Sequence, residues 1–188
     1  MQPRAGSTMG AGRIKRPATV RVWDPFVRIF HWSVVMLFAV AWASEHRQAI
    51  HQPAGYLVLA LVGLRIIWGF IGPRHARFAD FVRSPGGVLA YALALLAGRA
   101  PRILGHNPLG GVMVLLLMAM LIATGTSGWL MTTDAFRAIE WIEDLHEALA
   151  SLTLALVGVH VLSVLAMSLL HGEHLVRAMI TGRKRASG

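Results

Sequence analysis

Leu145-His146-Glu147-Ala-Leu-Ala-Ser-Leu-Thr-Leu-Ala-Leu-Val-Gly-Val-His160 is an apolar stretch with a histidine near each end. Read as an α-helix at about 100° per residue, the interval brings the second imidazole back to within about 40° of the first. The same interval rises about 21 Å along the axis. One helix face therefore projects two imidazoles at well-separated depths. Titratable groups inside an apolar helix are costly unless paired, so they point to function. His171 shares the face but lies about 37 Å from His146, beyond the roughly 30 Å hydrocarbon layer, and belongs at an interface.

Working outward, three more apolar runs appear, and the fold class expected is an all-α, integral membrane four-helix bundle. The spans run over about 26–44, 54–72, 109–131 and 145–170, each meeting the roughly 20 residues needed to cross. Short links join the first to the second and the third to the fourth, as in antiparallel hairpins. The decad Val88–Ala97 in the longer connection is too short to span and reads as an interfacial helix. Residues 1–20 are rich in Gly, Pro and Arg and read as a disordered basic tail, leaving 21–185 as the membrane domain.

Bulk composition agrees. Of 188 residues 55% are hydrophobic and only 14% charged, and the mean hydropathy is +0.57. The +9 net charge is not arranged as a nucleic-acid surface, with basic residues interleaved by aromatics. It sits at the ends of the apolar runs. Six Lys or Arg precede or open the first span (Arg4, Arg13, Lys15, Arg16, Arg21, Arg28), five lie in the central connection (Arg74, Arg77, Arg83, Arg99, Arg102) and four at the C-terminal end (Arg177, Arg183, Lys184, Arg185). The other two loops hold only Arg47 and Arg137, against acidic Asp134, Glu140, Glu143 and Asp144 in Thr132–Asp144. The positive-inside rule then expects both termini in the cytoplasm and a multi-pass protein of the bacterial inner membrane. The basic start followed by Ala41-Trp42-Ala43 imitates a signal peptide. The long basic region, and His31 with two tryptophans in the run, argue against cleavage.

There is no cysteine, which excludes disulfides, Cys-ligated iron–sulfur clusters and covalent c-type haem attachment. Histidine is left as the ligand for any redox metal. Of nine histidines, His46, His75 and His174 fall in connections and read as solvated. An iron held by two axial imidazoles needs a partner at the depth of each histidine on the fourth span. His51, opening the second span, matches His146, with His46 its rival. Against His160 stand His31 on the first span and His106 at the start of the third. For one such residue the ordinary reading is a hydrogen-bonded or water-lining histidine; for four pairing at two depths, haem is favoured. Zinc would be short of its usual four ligands.

Arg65 lies on the His51 face near the inner level, and Arg28 one turn before His31. Each either pairs with a haem propionate or snorkels to headgroups. His106, in a polar helix entry before Pro108, is open to a propionate or quinone contact. Gly55, Gly63, Gly69, Gly110, Gly111, Gly125, Gly128 and Gly158 permit close helix approach, and the tryptophans at span ends form an aromatic belt.

Arg28-Ile29-Phe30-His31-Trp32, His51 with Gly55-Tyr56, Arg65 with Trp68-Gly69, Gly105-His106-Asn107-Pro108-Leu109-Gly110, Leu145-His146-Glu147, His160 and the stretch His174–Gly182 together resemble the bacterial cytochrome b561 family. That family includes the b-type cytochrome subunits of nickel–iron hydrogenases. The resemblance covers roughly Val20–Arg185. It implies two non-covalent b haems with His31, His51, His146 and His160 as axial ligands, and it selects His31 over His106. It also implies electron transfer between a membrane quinone pool and a redox partner such as a cytochrome c or a hydrogenase subunit. A homodimer is compatible with this reading. Two alternatives stay open from the sequence: a haem-free proton or metal transporter, and a membrane anchor subunit of a redox complex.

Overall fold

The computed structural model describes residues 18–137 and 139–186. The basic tail expected over residues 1–20 lies outside the described residues up to residue 17, and its last part is a strand. β1 (Thr19–Arg21) pairs antiparallel with β2 (Arg183–Arg185), Val20 opposite Lys184. This two-stranded ribbon ties the two ends of the chain together. Val22 and Trp23 donate their N–H groups to the carbonyl of Gly182 at 2.9 and 3.2 Å. Gly182 has φ 77°, and a Cβ there would meet the Trp23 carbonyl oxygen at 2.7 Å, so the closure needs glycine.

Four long helices follow: α1 (Pro25–Ala43), α2 (Gln48–Ile71), then α5 (Pro108–Leu130) and α6 (Glu140–Leu170). Between α2 and α5 lie a 3₁₀ turn (Arg74–Ala76), the single-turn α3 (Phe78–Phe81) and α4 (Pro85–Leu96), the interfacial helix. The short α7 (Leu175–Thr181) follows α6. All four long helices are apolar enough to cross a membrane. At 31 residues, α6 is about 46 Å long, longer than the hydrocarbon layer.

Three helices begin the same way, because the same chemistry satisfies their first free N–H groups. Asp24, Ser84 and Asn107 each accept from the backbone three residues on (Val27, Gly87, Gly110), and each is followed by proline. Proline has no N–H to lose in the first turn.

Two spans start earlier than the apolar pattern places them. α2 begins at Gln48 rather than near 54, because Gln52 hydrogen-bonds back to Gln48 and Pro53 is accommodated inside the helix. α6 begins at Glu140 rather than near 145. Its opening residues include Glu140 and Glu143, whose charge complements the partial positive charge of a helix N-terminus. The acidic segment is thus largely the first turns of α6, not loop. In both cases polar residues extend a helix whose apolar part alone was legible.

The backbone of α2 packs against α1 and α5, and that of α5 against α6. Val58, Val62, Met118 and Leu121 form the mid-bundle core, flanked by Phe30, Val34 and Phe38. A second core at the end bearing both termini joins Val22, Trp23, Val27, Ala76 and Ala178. The outer surfaces carry large apolar side chains such as Ile67, Phe70, Leu162 and Leu169, which a lipid environment covers and water would not.

Candidate functional site

His146 and His160 lie on α6, half-buried, and each faces an imidazole from the α1–α2 hairpin. The ring centroids of His51 and His146 are 6.0 Å apart, and those of His31 and His160 6.5 Å. An iron bound axially by two imidazoles through bonds of about 2 Å separates their centroids by about 6 Å. Both pairs match that spacing. They match at two depths, since their α6 members are about 21 Å apart along the helix.

Among the described residues α6 lies along α5 and makes no extended backbone contact with α1 or α2. Gly55, one turn beyond His51 and on its face, is open enough that an added Cβ would meet no heavy atom within 4 Å. At Gly128 on α5 the opposite holds. A Cβ there would meet His146 Cε1 at 2.9 Å, so this glycine is where the imidazole seats.

At the first level both Nδ1 atoms are committed. His51 Nδ1 is 2.9 Å from the carbonyl oxygen of Ala41, and His146 Nδ1 is 2.9 Å from that of Thr124. A carbonyl only accepts, so both rings carry their proton on Nδ1 and present a bare Nε2, the donor a metal takes. Ser127 Oγ lies 3.0 Å from His146 Nδ1 and gives its own proton to the Thr124 carbonyl at 2.9 Å; it therefore also accepts from His146. Thr124 and Thr153 join their hydroxyls at 3.1 Å just below. The sequence reading missed Ser127 and Thr124. Ser127 lies one residue before Gly128 on the third span, and nothing in the sequence says which α5 residue meets His146.

At the second level the rival partner for His160 is elsewhere. His106 packs between Trp23 and Phe81, with centroids 4.6 and 4.9 Å away, and its Nδ1 is buried without a partner among the described residues. Burial, with smaller contributions from Arg65, Lys184 and His160 against an opposing one from Asp80, pushes its pKa down to about 3. It is a neutral imidazole at physiological pH.

Arg65 is only 2% exposed. One of its nitrogens donates to the Ala76 carbonyl at 2.9 Å, its guanidinium lies 5.5 Å from the Phe78 ring centroid, and NH1 is buried with no partner among the described residues. The side chain is held inside by α3 and the preceding turn rather than reaching solvent. Arg28 instead reaches α7, donating to the Ile180 carbonyl, with Nε buried and unpartnered among the described residues. Arg28, Trp32 and Ser33 line a cleft of about 600 Å³ with Pro25, Ile29 and Ile180.

Of the histidines read as solvated, His46 and His174 are exposed. His75 is not fully so: its Nδ1 lies 3.0 Å from Asp80 Oδ2, because the turn after α2 folds back on α3. Also unforeseen is a buried ionic knot beneath the ribbon. Arg102 donates to Glu173 Oε1 and to the Arg185 carbonyl, both at 2.7 Å. Lys184 Nζ stands 4.0 Å from Glu173 Oε2 and 5.7 Å from the Trp23 ring centroid. Burial alone would raise the Glu173 pKa, but the Arg102 hydrogen bond and the two cations hold it below the usual carboxylate value.

Among the described residues no three His, Asp or Glu side chains converge as they would on a bare metal ion. Each level offers two imidazoles, the donor set of a six-coordinate haem iron. The family model for prokaryotic cytochrome b561 matches residues 22–182. The chain belongs to the prokaryotic cytochrome b561 family. Neither a curated protein nor a solved structure matches it significantly. As a cytochrome b561 it is a multi-pass membrane protein that binds b-type haem and transfers electrons.

Proposed function

We propose that this cytochrome b561 is a diheme protein conducting electrons across the bacterial inner membrane between a quinone pool and a partner redox protein. In this reading His51 and His146 hold one haem, and His31 and His160 the other. The observation that carries it is the pair of centroid separations, 6.0 and 6.5 Å, each the span of an iron with two axial imidazoles, at two depths on one helix. When bound, haem supplies a reversible Fe(III)/Fe(II) couple. The chain's own residues present Nε2, fix its tautomer through Ala41 and Thr124, and keep the surroundings apolar.

Arg65 suits a propionate of the second haem, since its unpartnered NH1 is a buried cationic donor in want of an anion. His106, neutral and unpartnered at Nδ1, can share that propionate or meet a quinone. Arg28 marks the cleft between α1 and α7, which has the size of a small-ligand pocket and mostly apolar walls, and which suits a quinone. The concentration of Lys and Arg at the end bearing the termini supports a cytoplasmic position for that end.

The test is purified, full-length protein. Reduced-minus-oxidised spectra should show b haem, and a pyridine haemochrome assay about two haems per chain; a colourless, folded preparation would sink the reading. His146→Ala and His160→Ala should each remove about one haem. Loss of neither refutes the ligand assignment.

A further inference from the structure

A group of titratable side chains at the end bearing the termini takes no part in holding iron. His75, in the turn after α2, places Nδ1 3.0 Å from Asp80 Oδ2 on α3, and the two side chains are 25% and 24% exposed. The exposed Arg74 reaches Asp80 Oδ1 at 3.4 Å, and Arg83 donates to the Asp80 carbonyl at 3.0 Å. The turn is tied to that end of the molecule by Ala76, which joins the core of Val22, Trp23 and Ala178.

The pair backs onto the entry to α5. A Cβ at Gly105 would stand 3.3 Å from His75 Nδ1 and 3.6 Å from Asp80 Oδ2, so the missing side chain lets the pair reach the residue before His106. Phe81, next after Asp80, puts its ring centroid 4.9 Å from that of His106. His106 Nδ1 is buried without a partner among the described residues. Arg65, Lys184, His160 and Asp80 lie near enough for their charges to act on this ring. A carboxylate and two imidazoles thus lead from a partly exposed turn to a buried ring. An imidazole takes a proton on one nitrogen as it releases one from the other, so a neutral His106 can relay without keeping a charge.

We propose that His75 and Asp80 exchange protons between water and a quinone that meets His106. The inference rests on the quinone reading above and adds the proton route that reading lacks. A quinone becomes a quinol by taking two electrons and two protons, with one O–H bond formed at each carbonyl oxygen. The electrons are those the cytochrome carries, one at a time, each leaving an Fe(II) as Fe(III). Each proton passes from His106 to a quinone oxygen and is replaced through Asp80 and His75 from water. Oxidation of a quinol runs the same steps in reverse.

The experiment uses full-length protein with its haem reduced in detergent, mixed with decylubiquinone, and follows haem reoxidation from acid to alkaline pH. In wild type the rate should fall as pH rises, because protons are consumed. Asp80→Asn and His75→Gln, at wild-type haem content, should slow reoxidation about tenfold or more and flatten that fall. Reoxidation by ferricyanide, which takes an electron and no proton, should keep its wild-type rate in both. Asp80→Glu, which retains a carboxylate, should recover most of the lost rate. Wild-type behaviour with decylubiquinone in both variants overturns the inference. An equal loss with both oxidants also overturns it, since the pair is then structural. Where Asp80→Asn does not fold, His75→Gln decides. Wild type that ferricyanide reoxidises and decylubiquinone does not overturns the quinone reading itself, and this inference with it.

Discussion

His146 shows how much one side chain depends on neighbours that do no chemistry. Its ring is oriented by Thr124 and Ser127 and seated on Gly128, where a Cβ would stand 2.9 Å from the ring. Gly128→Val should therefore displace the imidazole and lower haem content from about two to about one per chain while the helices stay folded, because overpacking at one contact shifts a ring rather than a bundle. Pyridine haemochrome analysis beside circular dichroism would show it; full haem content in the variant would mean that the ring does not seat there. The titratable residues of the site were legible in the sequence because histidine in an apolar helix is conspicuous. Ser127, Thr124 and the Ala41 carbonyl were not. Hydroxyls and backbone groups are common in such helices, and only the packing of α5 on α6 and of α2 on α1 selects these. His106 shows the converse: conspicuous in the sequence and a rival ligand for His160, it is taken up by Trp23 and Phe81 instead.

Among the elements, the ribbon of β1 and β2 with α7 closes the end that bears both termini, and the knot of Arg102, Glu173 and Lys184 lies beneath it. Glu173 and Lys184 are both buried, 7% and 6% exposed. Removing the carboxylate would leave two cations without their counter-charge, a loss of about 3–5 kcal/mol for buried pairs in general. Glu173→Gln should thus lower the thermal midpoint of the detergent-solubilised protein at neutral pH. The sign with pH follows from the lowered pKa of Glu173. The stabilisation is complete above the ordinary carboxylate range and is lost as pH falls through the lowered value, so the gap between variant and wild type should close in acid. A gap unchanged from neutral to acid pH would contradict the knot. None of this was readable beforehand, since the C-terminal basic residues look like ordinary solvated charges until β2 turns Lys184 inward.

Over the whole molecule, the basic ends of the spans and the acidic start of α6 predict one topology. A reporter active only in the cytoplasm should work when fused at either terminus and fail when inserted between α5 and α6, and an export-dependent reporter should do the reverse. Activity of both reporters at one position would refute the topology. The number of spans, the pairing of short links, the short helix in the central connection and the two histidine levels on α6 follow from the amino-acid sequence, because hydropathy and the 3.6-residue period are local properties of the chain; His31 was chosen over His106 only by the family resemblance. The starts of α2 and α6 escaped that reading, as polar residues prolong these helices without apolar signal. Tertiary structure alone decided that Arg65 is held inside rather than reaching the surface, that His106 packs between Trp23 and Phe81, and that one histidine pair is backed by hydrogen bonds while His31 Nδ1 has no partner among the described residues. These depend on how α6 lies along α5 and across from α1 and α2, and contacts between distant segments are set by packing, which no local pattern encodes.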